Sequence, residues 1–75
     1  MIERKIRLTD TEEVKDFVRA AGKCDFDIDV FYNRVVIDAK SILGMIGLGT
    51  QKDLIIKYYG ENANFESVTN KYAIA

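Results

Sequence analysis

Asp38-Ala39-Lys40-Ser41-Ile42-Leu43-Gly44-Met45-Ile46-Gly47-Leu48-Gly49 is the stretch whose reading decides the architecture of this chain. The Ser41 hydroxyl is a natural N-cap, and Gly49 suits the residue that closes a helix, so a short helix is expected from Ser41 through about Leu48. Ile42, Leu43 and Ile46 lie together on it, whereas Met45 and Leu48 point from its other side towards a core. A helix this short, apolar on more than one side, cannot bury every side chain against one sheet face. Burial of all five is one reading of these residues; an exposed docking patch at Ile42, Leu43 and Ile46 is the reading favoured here. Gly44, Gly47 and Gly49 are not followed by the lysine of a phosphate-binding loop. Close helix–sheet packing and a C-cap explain them better.

Upstream, Asp25 to Tyr32 alternates, with Phe26, Ile28, Val30 and Tyr32 on one face and Asp27 and Asp29 on the other. Asn33-Arg34 reads as a tight turn into a second strand at Val35-Val36-Ile37. Further back, Ile6 and Leu8 alternate with Lys5 and Arg7 in a strand over Glu3 to Leu8. Thr9-Asp10-Thr11-Glu12 reads as a capping box with Thr9 as the cap. Val14, Phe17, Val18 and Ala21 follow at helical spacing, and Gly22 is expected as a left-handed C-cap. Downstream, Leu54 to Tyr59 is β-rich, Gly60-Glu61-Asn62 turns the chain, and Phe65, Val68 and Tyr72 mark a last helix. The order is βαββαβα: an α+β domain over residues 1–75 with a four-stranded antiparallel sheet and the helices packed on one face.

Lys40-Ser41-Ile42-Leu43-Gly44 with Leu48 resembles the K-S-I-M-G…L segment of HPr, the histidine-containing phosphocarrier of the bacterial sugar phosphotransferase system. Asp25-Phe26-Asp27-Ile28 and Tyr32-Asn33 resemble that family's second strand and hairpin, with ungapped spacing to the serine segment. The resemblance is clearest from Gly22 to Gly49 and extends more loosely to Tyr59. It implies an open-faced β-sandwich. It also implies that Ser41 matches a regulatory phosphorylation site, and that Ile42, Leu43 and Ile46 match an apolar patch used by partners. The family's G-I-H-A-R-P-A motif falls on Leu8 to Val14, where Asp10 stands at the histidine position and Glu12 at the arginine position. The chain has no histidine at all. Phosphoryl transfer by the family's route needs a nitrogen nucleophile at a helix N-terminus and a nearby cation, and acids at both positions repel phosphate. The resemblance therefore implies a relative similar to the catabolite-repression HPr homologue, a regulatory or adaptor protein and not an enzyme. Its expected partners are HPr kinase/phosphorylase and a catabolite-control transcription factor.

Composition sets the remaining bounds. Lys+Arg 11 against Asp+Glu 12 gives a net charge of −1, which disfavours nucleic acid and anionic membrane as direct partners. The single Cys24 excludes an internal disulfide; beside Lys23 its thiol is expected to be mildly acidified, with a structural role. Met1-Ile2-Glu3-Arg4-Lys5 leads into no apolar run, and no stretch approaches the roughly 20 apolar residues of a membrane span, so a cytoplasmic domain without a signal peptide is expected. Asp25, Asp27 and Asp29 share a strand face and cannot converge on calcium; no metal or cofactor is expected. Tyr58, Tyr59 and Tyr72 read as core and rim aromatics. A monomer or weak homo-oligomer fits this size. Three other readings stay open: a carrier using Asp10 as an acyl-phosphate acceptor, a paralogue of the same fold with an unrelated small-ligand or protein-binding role, and a ferredoxin-like module that binds small ligands or RNA, against which the low positive charge argues.

Overall fold

The protein is described by a computed structural model covering residues 1–74. Seven elements follow in chain order: β1 (Ile2–Leu8), α1 (Thr11–Gly22), β2 (Ile28–Tyr32), β3 (Val35–Asp38), α2 (Ile42–Leu48), β4 (Lys52–Tyr58) and α3 (Ala63–Tyr72). The strands form one antiparallel sheet in the order β1-β4-β2-β3. Chain neighbours are therefore sheet neighbours only in the β2–β3 hairpin. The crossover through α1 skips the place of β4, and the crossover through α2 skips that of β2, so two β-α-β units interleave.

Alternation along the strands sends one face to the helices. Ile6, Leu8, Ile28, Val30, Leu54, Ile56 and Tyr58 are buried there against Val14, Phe17, Val18 and Ala21 of α1, Met45 of α2, and Phe65 and Val68 of α3. Full burial of side chains this size stabilises by about 1.5–3 kcal/mol each, before the entropy of ordering is set against it. Phe65 is an aromatic hub, edge-on to Tyr58 with centroids 5.1 Å apart and tilted against Phe17 at 5.7 Å. Among the described residues no helix lies on the other sheet face.

Several local expectations shift by a residue or more. Asp10, not Thr9, caps α1: its carboxylate accepts from the Glu13 N–H at 2.9 Å. Glu13, not Glu12, returns the favour by accepting from the Thr9 N–H at 2.7 Å and the Thr9 hydroxyl at 2.8 Å. Aspartate is the better cap, and choosing it places Glu13 at the third helical position. Gly22 is the last residue of α1, not a left-handed cap; the chain leaves through Lys23 at φ −87°, whose N–H still reaches the Ala20 carbonyl at 3.3 Å. β2 begins at Ile28, because Phe26 turns inward to stack on Tyr58 with centroids 5.7 Å apart. Gly60, at φ 147°, lies against that ring, and a Cβ there would collide with it. β4 runs from Lys52 to Tyr58, two residues earlier at its start than its apolar run suggests, and leaves Tyr59 exposed. Thr69 of α3 is buried, and among the described residues its hydroxyl has no hydrogen-bond partner.

One polar clamp joins the first and last helices. Asp16 of α1 accepts from Lys71 Nζ at 2.7 Å and from the Tyr72 hydroxyl at 2.6 Å, both on α3. The bond from Lys71, then that from Tyr72, holds the Asp16 carboxyl below its usual 3.8 against the opposing effect of burial. A depressed folded-state pKa contributes stability above the unfolded value, and that contribution is lost as pH falls through the lower folded value. Asp16→Asn is thus expected to lower the melting temperature at neutral pH, with the gap to wild type closing as pH falls from about 5 towards 1. Circular-dichroism melts across that range test this; a gap independent of pH would mean that the carboxylate charge contributes nothing.

Candidate functional site

The Asp38-to-Gly49 stretch forms the expected helix and presents the expected side chains. The Ser41 hydroxyl accepts from the Gly44 N–H at 3.1 Å, and Gly49, at φ 98°, ends α2 with its N–H on the Ile46 carbonyl at 3.1 Å. Over these seven helical residues only Met45 is fully buried, at 1% exposure. Leu43 is 83% exposed, Ile46 45% and Ile42 38%, while Leu48 is partly buried against the core. Ser41 is itself exposed. The structure thus brings Ser41, Ile42, Leu43 and Ile46 onto one short exposed element.

Gly44 lets α2 sit close to the sheet. A Cβ at that position would lie 2.9 Å from Ile37 Cγ2 on β3 and 3.1 Å from Ser41 Oγ, whereas a Cβ on Gly47 would meet nothing within 4 Å. Lys40, next to the serine, is drawn away from it by donating from Nζ to the Cys24 carbonyl at 2.9 Å. Cys24 is buried, and burial pushes its thiol pKa up, with the opposing pull of Lys40 second. This corrects the acidified thiol expected from Lys23, since desolvation of the thiolate outweighs an exposed neighbouring cation.

Two residues with no sequence signature complete the surroundings. Gln51, in a left-handed conformation at φ 61°, donates its N–H to the Leu8 carbonyl at 2.7 Å. That bond ties the loop after α2 to the end of β1, two residues before Asp10. Lys52 donates from Nζ to the Leu48 carbonyl at 2.7 Å and lies 5.5 Å from the Tyr32 ring centroid, which satisfies the C-terminal end of α2. A left-handed glutamine and a lysine inside a strand are recognisable only once the chain is folded.

At the start of α1 the chain answers its own amides with acids. Asp10 is engaged by Glu13 N–H, Glu13 by Thr9, and Glu12 pairs with Lys15 at 3.6 Å. The chain supplies no imidazole, and the side chain at this helix start is a carboxylate already holding a backbone donor. Asp25, Asp27 and Asp29 are exposed, and among the described residues no three ligand-type side chains gather as a metal site would require.

This architecture has close counterparts among solved structures. A crystal structure of HPr-C-His from Thermoanaerobacter tengcongensis matches with a TM-score of 0.76 at 20% identity, covering 95% of this chain and 93% of that one. The chain has the HPr fold. A phosphocarrier protein HPr from Bacillus anthracis str. Ames matches with a TM-score of 0.72 at 21% identity, covering 95% of each chain. No protein-family model matches the sequence. The open-faced, four-stranded HPr-like sandwich is therefore present with a heavily changed set of side chains. Among the described residues no helix is long and apolar enough to cross a membrane.

The two glycines inside α2 make opposite predictions. Gly44→Ala should destabilise the HPr-like fold by about 1 kcal/mol or more, because Ile37 and the Ser41 cap must give way. Gly47→Ala should stabilise it by about 0.5–1 kcal/mol, since alanine restricts the unfolded chain and meets open space. Urea unfolding of the pair measures both; equal shifts would remove Gly44 as a close-approach position.

Proposed function

We propose that this chain is an HPr-like regulatory or adaptor protein that works in the cytoplasm, docks other proteins through Ile42, Leu43 and Ile46, and does not carry phosphate on histidine. The observation that carries the reading is the exposure of three apolar side chains on a helix that buries only Met45. Leaving that surface in water is unfavourable, and a partner that covers it recovers the hydrophobic contribution. The fold likeness supports the setting, a system in which HPr-like proteins serve as protein ligands.

We further propose that phosphate on Ser41 switches this surface. The hydroxyl is exposed and already accepts from the Gly44 N–H. A phosphate oxygen can take over that bond and add about −1.5 to −2 charge beside Ile42 without unwinding α2. On this reading the modifying partner is HPr kinase/phosphorylase and the downstream partner a catabolite-control transcription factor, both implied by the likeness of the Lys40-to-Gly44 segment to HPr.

The competing reading, an acyl phosphate on Asp10, is disfavoured by the geometry of α1. Phosphorylation there would withdraw the carboxylate from Glu13 N–H and forfeit a cap of about 1 kcal/mol. The phosphate would also sit among Glu12 and Glu13. A small-ligand or other protein-binding role for an HPr-fold paralogue has no comparable cluster of side chains in its favour.

Intact mass after incubation with HPr kinase/phosphorylase, ATP and Mg²⁺ is the direct test. One added phosphate, absent in Ser41→Ala, is expected; no incorporation would leave Ser41 as a cap alone. Ile46→Asp should reduce binding to the cognate transcription factor at least tenfold with an unchanged melt, as removal of a central apolar anchor does. Unchanged affinity would place the docking surface elsewhere.

A further inference from the structure

The free edge of β3 carries a second recognition feature, independent of α2. β3 ends the strand order, and its outer side has no neighbour. Its hydrogen-bonding phase follows from the Ala39 N–H, which donates to the Ile28 carbonyl at 2.9 Å. Residues 35, 37 and 39 therefore turn their backbone groups towards β2, and residues 36 and 38 turn theirs outward. The Asp38 carbonyl is taken by Ser41 N–H at 3.0 Å. Both backbone groups of Val36 and the N–H of Asp38 remain at the edge, beside a Val36 side chain that is 55% exposed.

The charges along this edge are unevenly paired. Asp29 of β2 and Asp38 of β3 lie directly opposite each other, and like charges in that position destabilise a sheet. Lys57, the neighbour of Asp29 in β4, is engaged by Glu3 at 3.7 Å and by the Phe31 ring at 4.7 Å. Among the described residues Asp29, Asp38 and Arg34 form no ion pair.

We propose that two copies of this chain pair antiparallel through β3, with Val36 on the two-fold axis. In that register Val36 donates to and accepts from Val36 of the second copy, and the Asp38 N–H donates to the Arg34 carbonyl across the axis. Val35 falls opposite Ile37, and each Arg34 falls opposite Asp38 of the other copy, beside Asp29. The register that pairs Val36 with itself thus also brings a cation to each aspartate pair. The axis stands perpendicular to the sheet, so the helices of both copies stay on one side of an eight-stranded sheet. β3 is short, and an interface of this extent belongs to the weak, concentration-dependent class.

Sedimentation velocity from micromolar to millimolar protein, with amide hydrogen exchange read at Val36, tests the pairing. The expected result is a rising sedimentation coefficient with Val36 protection rising in parallel. Val36→Pro removes only an outward N–H and should leave a folded monomer. Arg34→Glu, at an exposed turn position, should weaken dimerisation about tenfold by turning two attractive pairs repulsive, and added salt should weaken the wild-type dimer. A millimolar monomer with an unprotected Val36 amide would overturn the proposal. So would a dimer that persists undiminished in both variants, which would place the interface on another surface.

Discussion

The fold depends on β4 holding the middle of the sheet. It pairs with β1 along its whole length, from Leu8↔Lys52 to Ile2↔Tyr58, and with β2 on its other side, from Ile28↔Tyr58 to Phe31↔Ile55. These contacts pair strands far apart in the chain. They become favourable only after long loops have closed, so they are the slow and cooperative part of assembly. Tyr58 concentrates this role. It is buried at the end of both pairings, stacks with Phe26, meets Phe65 edge-on, and donates its hydroxyl to Glu66 at 2.6 Å. Burial first, then the bond to Glu66, pushes its phenol far above the usual range, so it stays neutral.

From that constraint the placement of the exposed helix follows. With β4 between β1 and β2, the connection from β3 back to β4 must cross β2. It does so as α2, a single short helix seated by Gly44 against Ile37 and anchored by Met45. Two helices, α1 and α3, cover most of the inner face and are bound to each other by the Asp16 clamp. α2 is left with one buried anchor and an apolar exterior. An exposed apolar surface arises where the topology demands a crossover and the core is already filled.

At the other end of the Gln51–Leu8 link, the start of α1 satisfies its own amides. A helix N-terminus presents amides that welcome an anion. Here the chain provides the anion itself through Asp10, with Glu13 completing the reciprocal bonds to Thr9. These reciprocal bonds stabilise the helix start and occupy donors that would otherwise face solvent.

The sequence by itself determined the element order, the inward-facing residues, Ser41 as a cap and the division of α2 into Met45 inside and Leu43 outside. These follow from periods of two and 3.6 residues and from local capping chemistry, which need no knowledge of distant neighbours. The likeness to HPr in the Lys40-to-Gly44 segment was legible too, and the fold bears it out. The cap of α1 was misplaced by one residue because Thr9 and Asp10 are both competent caps with an acid three residues on, and only packing chooses between them. Strand order, the exclusion of Phe26 from β2, the left-handed Gln51, the capping Lys52 and the raised thiol of Cys24 were decided by the tertiary structure alone. Each rests on a contact between residues far apart in the chain, or on the loss of water that such contacts bring, and neither leaves a local pattern.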